Sequence, residues 1–192
     1  VILVENRFIY LATPATGSRS VTLALRDQCG GKLLAKSHHA YLSDMDQLKD
    51  HDVPVYAFIR DPYDYVLTRY YYTHKTPALR EQETLEDWIP KYAEENYGDE
   101  FGSIMCMYRD YVDDMFLYED GLENFFEKVG LPDVTMPTEG AWASYQIKNG
   151  LPSIDELENS RHVRELIDQY FAMEVALYGH YRKQHSDAVC SL

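Results

Sequence analysis

The chain has 192 residues, 45% of them hydrophobic and 26% charged, which suits one domain with a full apolar core and excludes a disordered chain. Its formal net charge of -14 excludes a general nucleic-acid binder, which needs a basic face, and leaves room for an anionic ligand only in a locally positive pocket. No apolar run approaches the roughly 20 residues needed to cross a bilayer, so no membrane span is expected.

RFIYLA (residues 7–12) is an apolar run that ends at Pro14 and predicts a buried strand. Ser18 or Ser20 can cap a helix through about Cys29, which Gly30 and Gly31 stop. KLLAK (32–36) predicts a second, short strand, and SDMDQLKD (43–50) a short helix. VPVYAFI (53–59) predicts a strand that leads into a helix with Asp61 as cap and Pro62 in the first turn. TLEDWIPKYAEEN (84–96) is amphipathic and reads as a helix despite Pro90, with another helix around 103–113. DMFLYED (114–120) predicts a fourth strand and LENFFEKVG (122–130) a helix closed by Gly130. Residues 138–153 read as an irregular loop, and 154–183 as one long helix or two. Strands alternating with helices imply one α/β domain over 1–192, with a parallel sheet of about four to five strands between two helical layers. Ligands of such sheets bind at the C-terminal ends of the strands, and the two sharpest motifs lie there.

The first motif is Pro14-Ala15-Thr16-Gly17-Ser18-Arg19-Ser20. Gly17 lets backbone approach an anion closely, and amides at the start of a helix can donate to it. Thr16, Ser18 and Ser20 add hydroxyls and Arg19 a fixed positive charge, although an ordinary capped turn would also explain the segment. The Walker pattern G-x-x-x-x-G-K-[ST] is absent, which weighs against an ATPase or a nucleotide or small-molecule kinase. The second motif is Ile59-Arg60-Asp61-Pro62, with Thr68 eight residues after the arginine and about two helical turns into the helix. Arg60 is placed to grip a phosphate with Thr68 assisting, or else to pair with Asp61 or Asp64.

Together these motifs resemble the sulfotransferases that use 3′-phosphoadenosine 5′-phosphosulfate (PAPS), in particular the carbohydrate and bacterial types. Their pattern is P-K-T-G-[ST]-x-[ST] after a strand, then a strand ending in R-[DN]-P with a hydroxyl residue further on. FLYEDGLENFFEKVGLP (116–132), with Glu119, and YFAMEVALYGHY (170–181), with Glu174 for aspartate, are similar to two further family segments. The resemblance implies a P-loop-like sulfotransferase fold. Ala15, Thr16, Gly17, Ser18, Arg19 and Ser20 would then hold the 5′-phosphosulfate, and Arg60 and Thr68 the 3′-phosphate. PAPS would be the co-substrate and 3′-phosphoadenosine 5′-phosphate (PAP) the product, with no metal.

Sulfuryl transfer needs a base for the acceptor hydroxyl and positive charge on the departing phosphate. In KSHHAYLSD (36–44), His39 is the first candidate for the base and His38 the second, with His74 a weaker one; a surface pair without a role is the bland alternative. Ala15 stands where the family has a lysine, and Arg19, Lys36 or Lys75 could supply the missing charge. The expected function is transfer of a sulfuryl group from PAPS to a hydroxyl of a carbohydrate or other small acceptor. The alternative is a PAPS- or PAP-binding protein that lost activity with the lysine. The acceptor is expected between variable segments, 73–103 and 138–160. Cys29, Cys106 and Cys190 lack metal-ligand spacing and suit a cytoplasmic protein, or a Golgi luminal domain if an N-terminal anchor was removed.

Overall fold

A computed structural model describes residues 1–34, 48, 52–96, 108–136 and 160–189. Contacts divide the chain into two compact units, Val1–Arg60 with Met107–Glu139 and Asp61–Cys106 with Gly140–Leu192.

The first unit carries a five-stranded sheet in the order β3-β1-β2-β4-β5, with β1 at Ile2–Val4, β2 at Phe8–Leu11, β3 at Lys32–Leu33, β4 at Val55–Ile59 and β5 at Asp114–Leu117. β2, β4 and β5 run parallel, with Leu11 opposite Ala57 and Ala57 opposite Met115. The expected all-parallel sheet is corrected to a mixed one, because β1 pairs antiparallel with both β2 and β3. Asn6 allows the first of these pairings. Its φ of 57° is a left-handed conformation that asparagine tolerates, and it lets the chain reverse within the short turn between β1 and β2. The predicted strand at 114–120 stops at Leu117, where Tyr118–Asp120 tightens into a 3-10 turn.

Helix α1 (Ser18–Cys29) and helix α5 (Leu122–Lys128) enclose a core with residues that alternate along the strands. Val21, Ala24 and Leu25 of α1 and Phe125 and Phe126 of α5 pack with Ile2, Val4, Phe8, Tyr10, Phe58 and Phe116. Phe125 is the hub: its ring meets those of Phe8, Tyr10, Phe58 and Phe116 at 5.0–5.9 Å. Residues of the opposite alternation, Ile9, Leu11, Ala57, Ile59 and Met115, are buried as well. Gly30, at φ 67°, ends α1 as predicted, with its amide on the Leu25 carbonyl.

The described residues of the second unit form helices: α2 (Pro62–Thr73), α3 (Pro77–Gln82), α4 (Leu85–Asn96), α6 (Arg161–Tyr170) and α7 (Ala172–Val189). Asp61 caps α2 by accepting from the Tyr63 amide at 2.9 Å, with proline in the first turn as its sequence predicts. Helix α4 runs through Pro90, as expected. Helix α3 was not expected. The segment from 77 to 96, taken above as part of a variable acceptor region, is almost wholly helical. Thr76 accepts from the Leu79 amide at 3.4 Å and starts α3 just ahead of a proline. Trp88 stacks on Tyr92 at 4.3 Å, and Tyr92 faces Phe171, joining α4 to the end of α6. The short helix at 43–50 apart from Leu48, the loop at 138–153 and the helix at 103–113 up to residue 107 lie outside the described residues. No described helix is long and apolar enough to cross a membrane.

Candidate functional site: the loop after the central strand

β2 is the middle strand of the sheet, and the chain leaves its C-terminal end into Thr13, Pro14, Ala15, Thr16 and Gly17 before α1 begins. The loop has a distinct backbone. Ala15 is left-handed at φ 59°, Thr16 is not, Gly17 is left-handed again at φ 65°, and Ser18 enters the helix. Alternation of this kind turns successive amides toward one side and forms a concave nest for an anion. The same loop opens a 12-residue helix whose N-cap is a glycine with no side-chain cap bond. The first amides of that helix have no intrahelical acceptor, and its dipole favours negative charge there.

Two bonds fix the loop from below. Thr16 Oγ1 donates to the Thr13 carbonyl at 2.8 Å, and Arg60 Nη1 donates to the Ala15 carbonyl at 2.6 Å. Arg60 follows β4, the parallel neighbour of β2, so both segments emerge at the same end of the sheet. Arg60 as a residue is buried, at 4% exposure, and its guanidinium carbon sits 4.8 Å from the centre of the Tyr118 ring. Tyr118 also approaches Gly17. A β-carbon at position 17 would lie 3.3 Å from the Tyr118 ring and 2.8 Å from Leu122 Cδ1, so only glycine fits without displacement. Thr13 and Thr22 bury their hydroxyls with no hydrogen-bond partner among the described residues. Burial pushes the Tyr10 phenol well above the ordinary tyrosine range, offset only in part by the Thr16 hydroxyl, so it adds no negative charge here.

Of the residues read from sequence, Ala15, Thr16, Gly17, Ser18, Arg19, Ser20 and Arg60 fall in this unit, around one loop. Thr16 and Ser18 are buried, Ser20 is half-buried and Arg19 is exposed. Thr68 belongs to the helical unit, buried in α2, with Oγ1 lacking a partner among the described residues. His38, His39 and Lys36 lie outside the described residues. Lys75 is exposed, with Nζ 4.5 Å from the centre of the Tyr72 ring. His74 is buried against Tyr70, with Nδ1 3.1 Å from the Tyr70 carbonyl and Nε2 3.0 Å from Glu83 Oε2. Nδ1 thereby closes onto the last turn of α2 itself, and Nε2 ties α2 to Glu83 at the end of α3. Tyr118 and Leu122 are site residues that the sequence did not single out. Their signal was the family-like segment 116–132, in which both fall, with Tyr118 inside the predicted strand and Leu122 just after it.

Compared with protein-family models, curated proteins and solved structures, the chain matches none of them.

Proposed function

We propose that the loop of residues 14–20 binds the phosphosulfate end of PAPS, and that the chain moves the sulfuryl group to a hydroxyl of a carbohydrate or other small acceptor. The observation that carries this reading is the nest: alternating left-handed residues at the end of a central parallel strand, opening onto an uncapped helix. That backbone offers several amide donors in one concavity, which suits a tetrahedral anion and needs no lysine to bind it. The two motifs at neighbouring strand ends, and the order of the four family-like segments, support PAPS over other phosphorylated ligands.

In the transfer, a base takes the acceptor proton, the acceptor oxygen forms a bond to sulfur, and the bond from sulfur to the bridging oxygen breaks. The departing electron pair stays on the 5′-phosphate of PAP. The loop amides would stabilise the charge that develops there. His39, then His38, is assigned the base on sequence grounds. In the same way Thr68 is assigned to the 3′-phosphate by resemblance alone. PAPS carrying radiolabelled sulfur, incubated with a panel of mono- and oligosaccharide acceptors, tests the transfer. Label should move to an acceptor, and His39→Ala should slow that step while leaving PAPS affinity near normal.

A second reading is favoured by one residue. Ala15 offers no cation to the leaving group, so a nucleotide-binding protein without transfer would carry the same loop. Tight PAP binding with no label transfer to any acceptor selects it.

A further inference from the structure

Resting on the PAPS reading, we infer that Arg60 is a positioning residue for the 5′-phosphosulfate, supplying through the Ala15 peptide the positive charge that the alanine side chain lacks. Three observations lead there. Arg60 Nη1 lies 2.6 Å from the Ala15 carbonyl, a short charge-assisted bond to the residue that stands in the lysine position. No described peptide is cis, and a trans peptide points its carbonyl and its following amide to opposite sides. With the Ala15 carbonyl turned onto Arg60, the Thr16 amide is turned away from Arg60, and it is the donor we assign to the anion. Arg60 as a residue is 4% exposed and its guanidinium carbon lies 4.8 Å from the centre of the Tyr118 ring, so water screens its charge less than that of a surface arginine.

These effects add. A cation bonded to the carbonyl polarises the peptide and strengthens its amide as a donor. It also offsets the negative end of that peptide dipole, which faces Arg60. Arg19, the other arginine of the motif, is exposed, where its charge is screened. The buried hydroxyl of Thr13, without a partner among the described residues, is a further polar group packed at the base of the same loop.

The test is a set of titrations with adenosine 5′-phosphosulfate, which carries the 5′ group and no 3′-phosphate, run beside adenosine 3′,5′-bisphosphate. The proteins are wild type, Arg60→Met, Arg60→Lys, Ala15→Lys and the double variant Arg60→Met with Ala15→Lys. Wild type that binds neither ligand rejects the PAPS reading itself. Where wild type binds, Arg60→Met should weaken the phosphosulfate by roughly 10- to 100-fold, the loss of one buried charge-assisted contact. Arg60→Lys should recover most of that loss, and so should the double variant, which a purely structural role for Arg60 would not allow. Undiminished phosphosulfate affinity in Arg60→Met, or a loss confined to the bisphosphate, overturns the inference and returns Arg60 to the 3′-phosphate. If Arg60→Met does not fold, Ala15→Lys alone decides. A gain below about threefold fits a loop already supplied with charge, and a gain of about tenfold or more contradicts it.

Discussion

Gly17 carries more structural demand than any other residue of the loop. Its φ of 65° is costly for a side chain, and its missing β-carbon leaves room for Leu122 and for the Tyr118 ring that lies against Arg60. Gly17→Ala should therefore destabilise the protein by roughly 1–3 kcal/mol. The denaturant midpoint measures this, and a change within about 0.5 kcal/mol, the range of an ordinary surface substitution, would contradict it. The same variant should lose anion binding, since the displaced Tyr118 supports the arginine that anchors Ala15. Gly17 was legible from sequence as a glycine placed for close backbone approach. The left-handed turn of Ala15 was not, because alanine seldom adopts it and nothing local demands it. Arg60 was legible as a strand-end cation, whereas its burial and its bond to Ala15 depend on the register of two strands far apart in sequence.

Helices were read best where their ends carry chemistry. Asp61-Pro62 and Gly30 set ends that the structure keeps, and Thr76-Pro77 carries the same starting signal for α3 although the segment is too short to show a period. β1 has only three residues, too few for alternation to show, and its pairing with β2 rests on one asparagine turn. Helix α5 should be needed for the sheet to hold together. Phe125→Ala removes the ring at the centre of five aromatic contacts and should cost about 3–5 kcal/mol in chemical denaturation. The corner of α2, α3 and α4 should respond to acid instead. Lys91, and after it His74, hold the Glu83 carboxyl below the ordinary glutamate range. A depressed carboxyl stabilises the fold above its unfolded pKa and loses that contribution as pH falls through the folded value. Wild type should thus lose melting temperature faster than Glu83→Gln as pH drops from about 5 to about 3. Parallel curves for the two proteins would contradict it.

Over the whole molecule, the alternation of strands and helices predicted the α/β class, and the parallel core of β2, β4 and β5 follows from it. Hairpin pairing at the N-terminal side made the sheet mixed, a long-range choice that no local pattern encodes. The two strand-end motifs converge because parallel neighbours end on the same side, so the sequence placed the loop and Arg60 together for a sound physical reason. Chemistry at the acceptor is less legible, since it depends on segments without a motif. Ligand identity is the central claim, and calorimetric titration of the protein with adenosine 3′,5′-bisphosphate, ATP and AMP measures it directly. The bisphosphate should bind more tightly than either of the others. Preference for ATP would contradict the account.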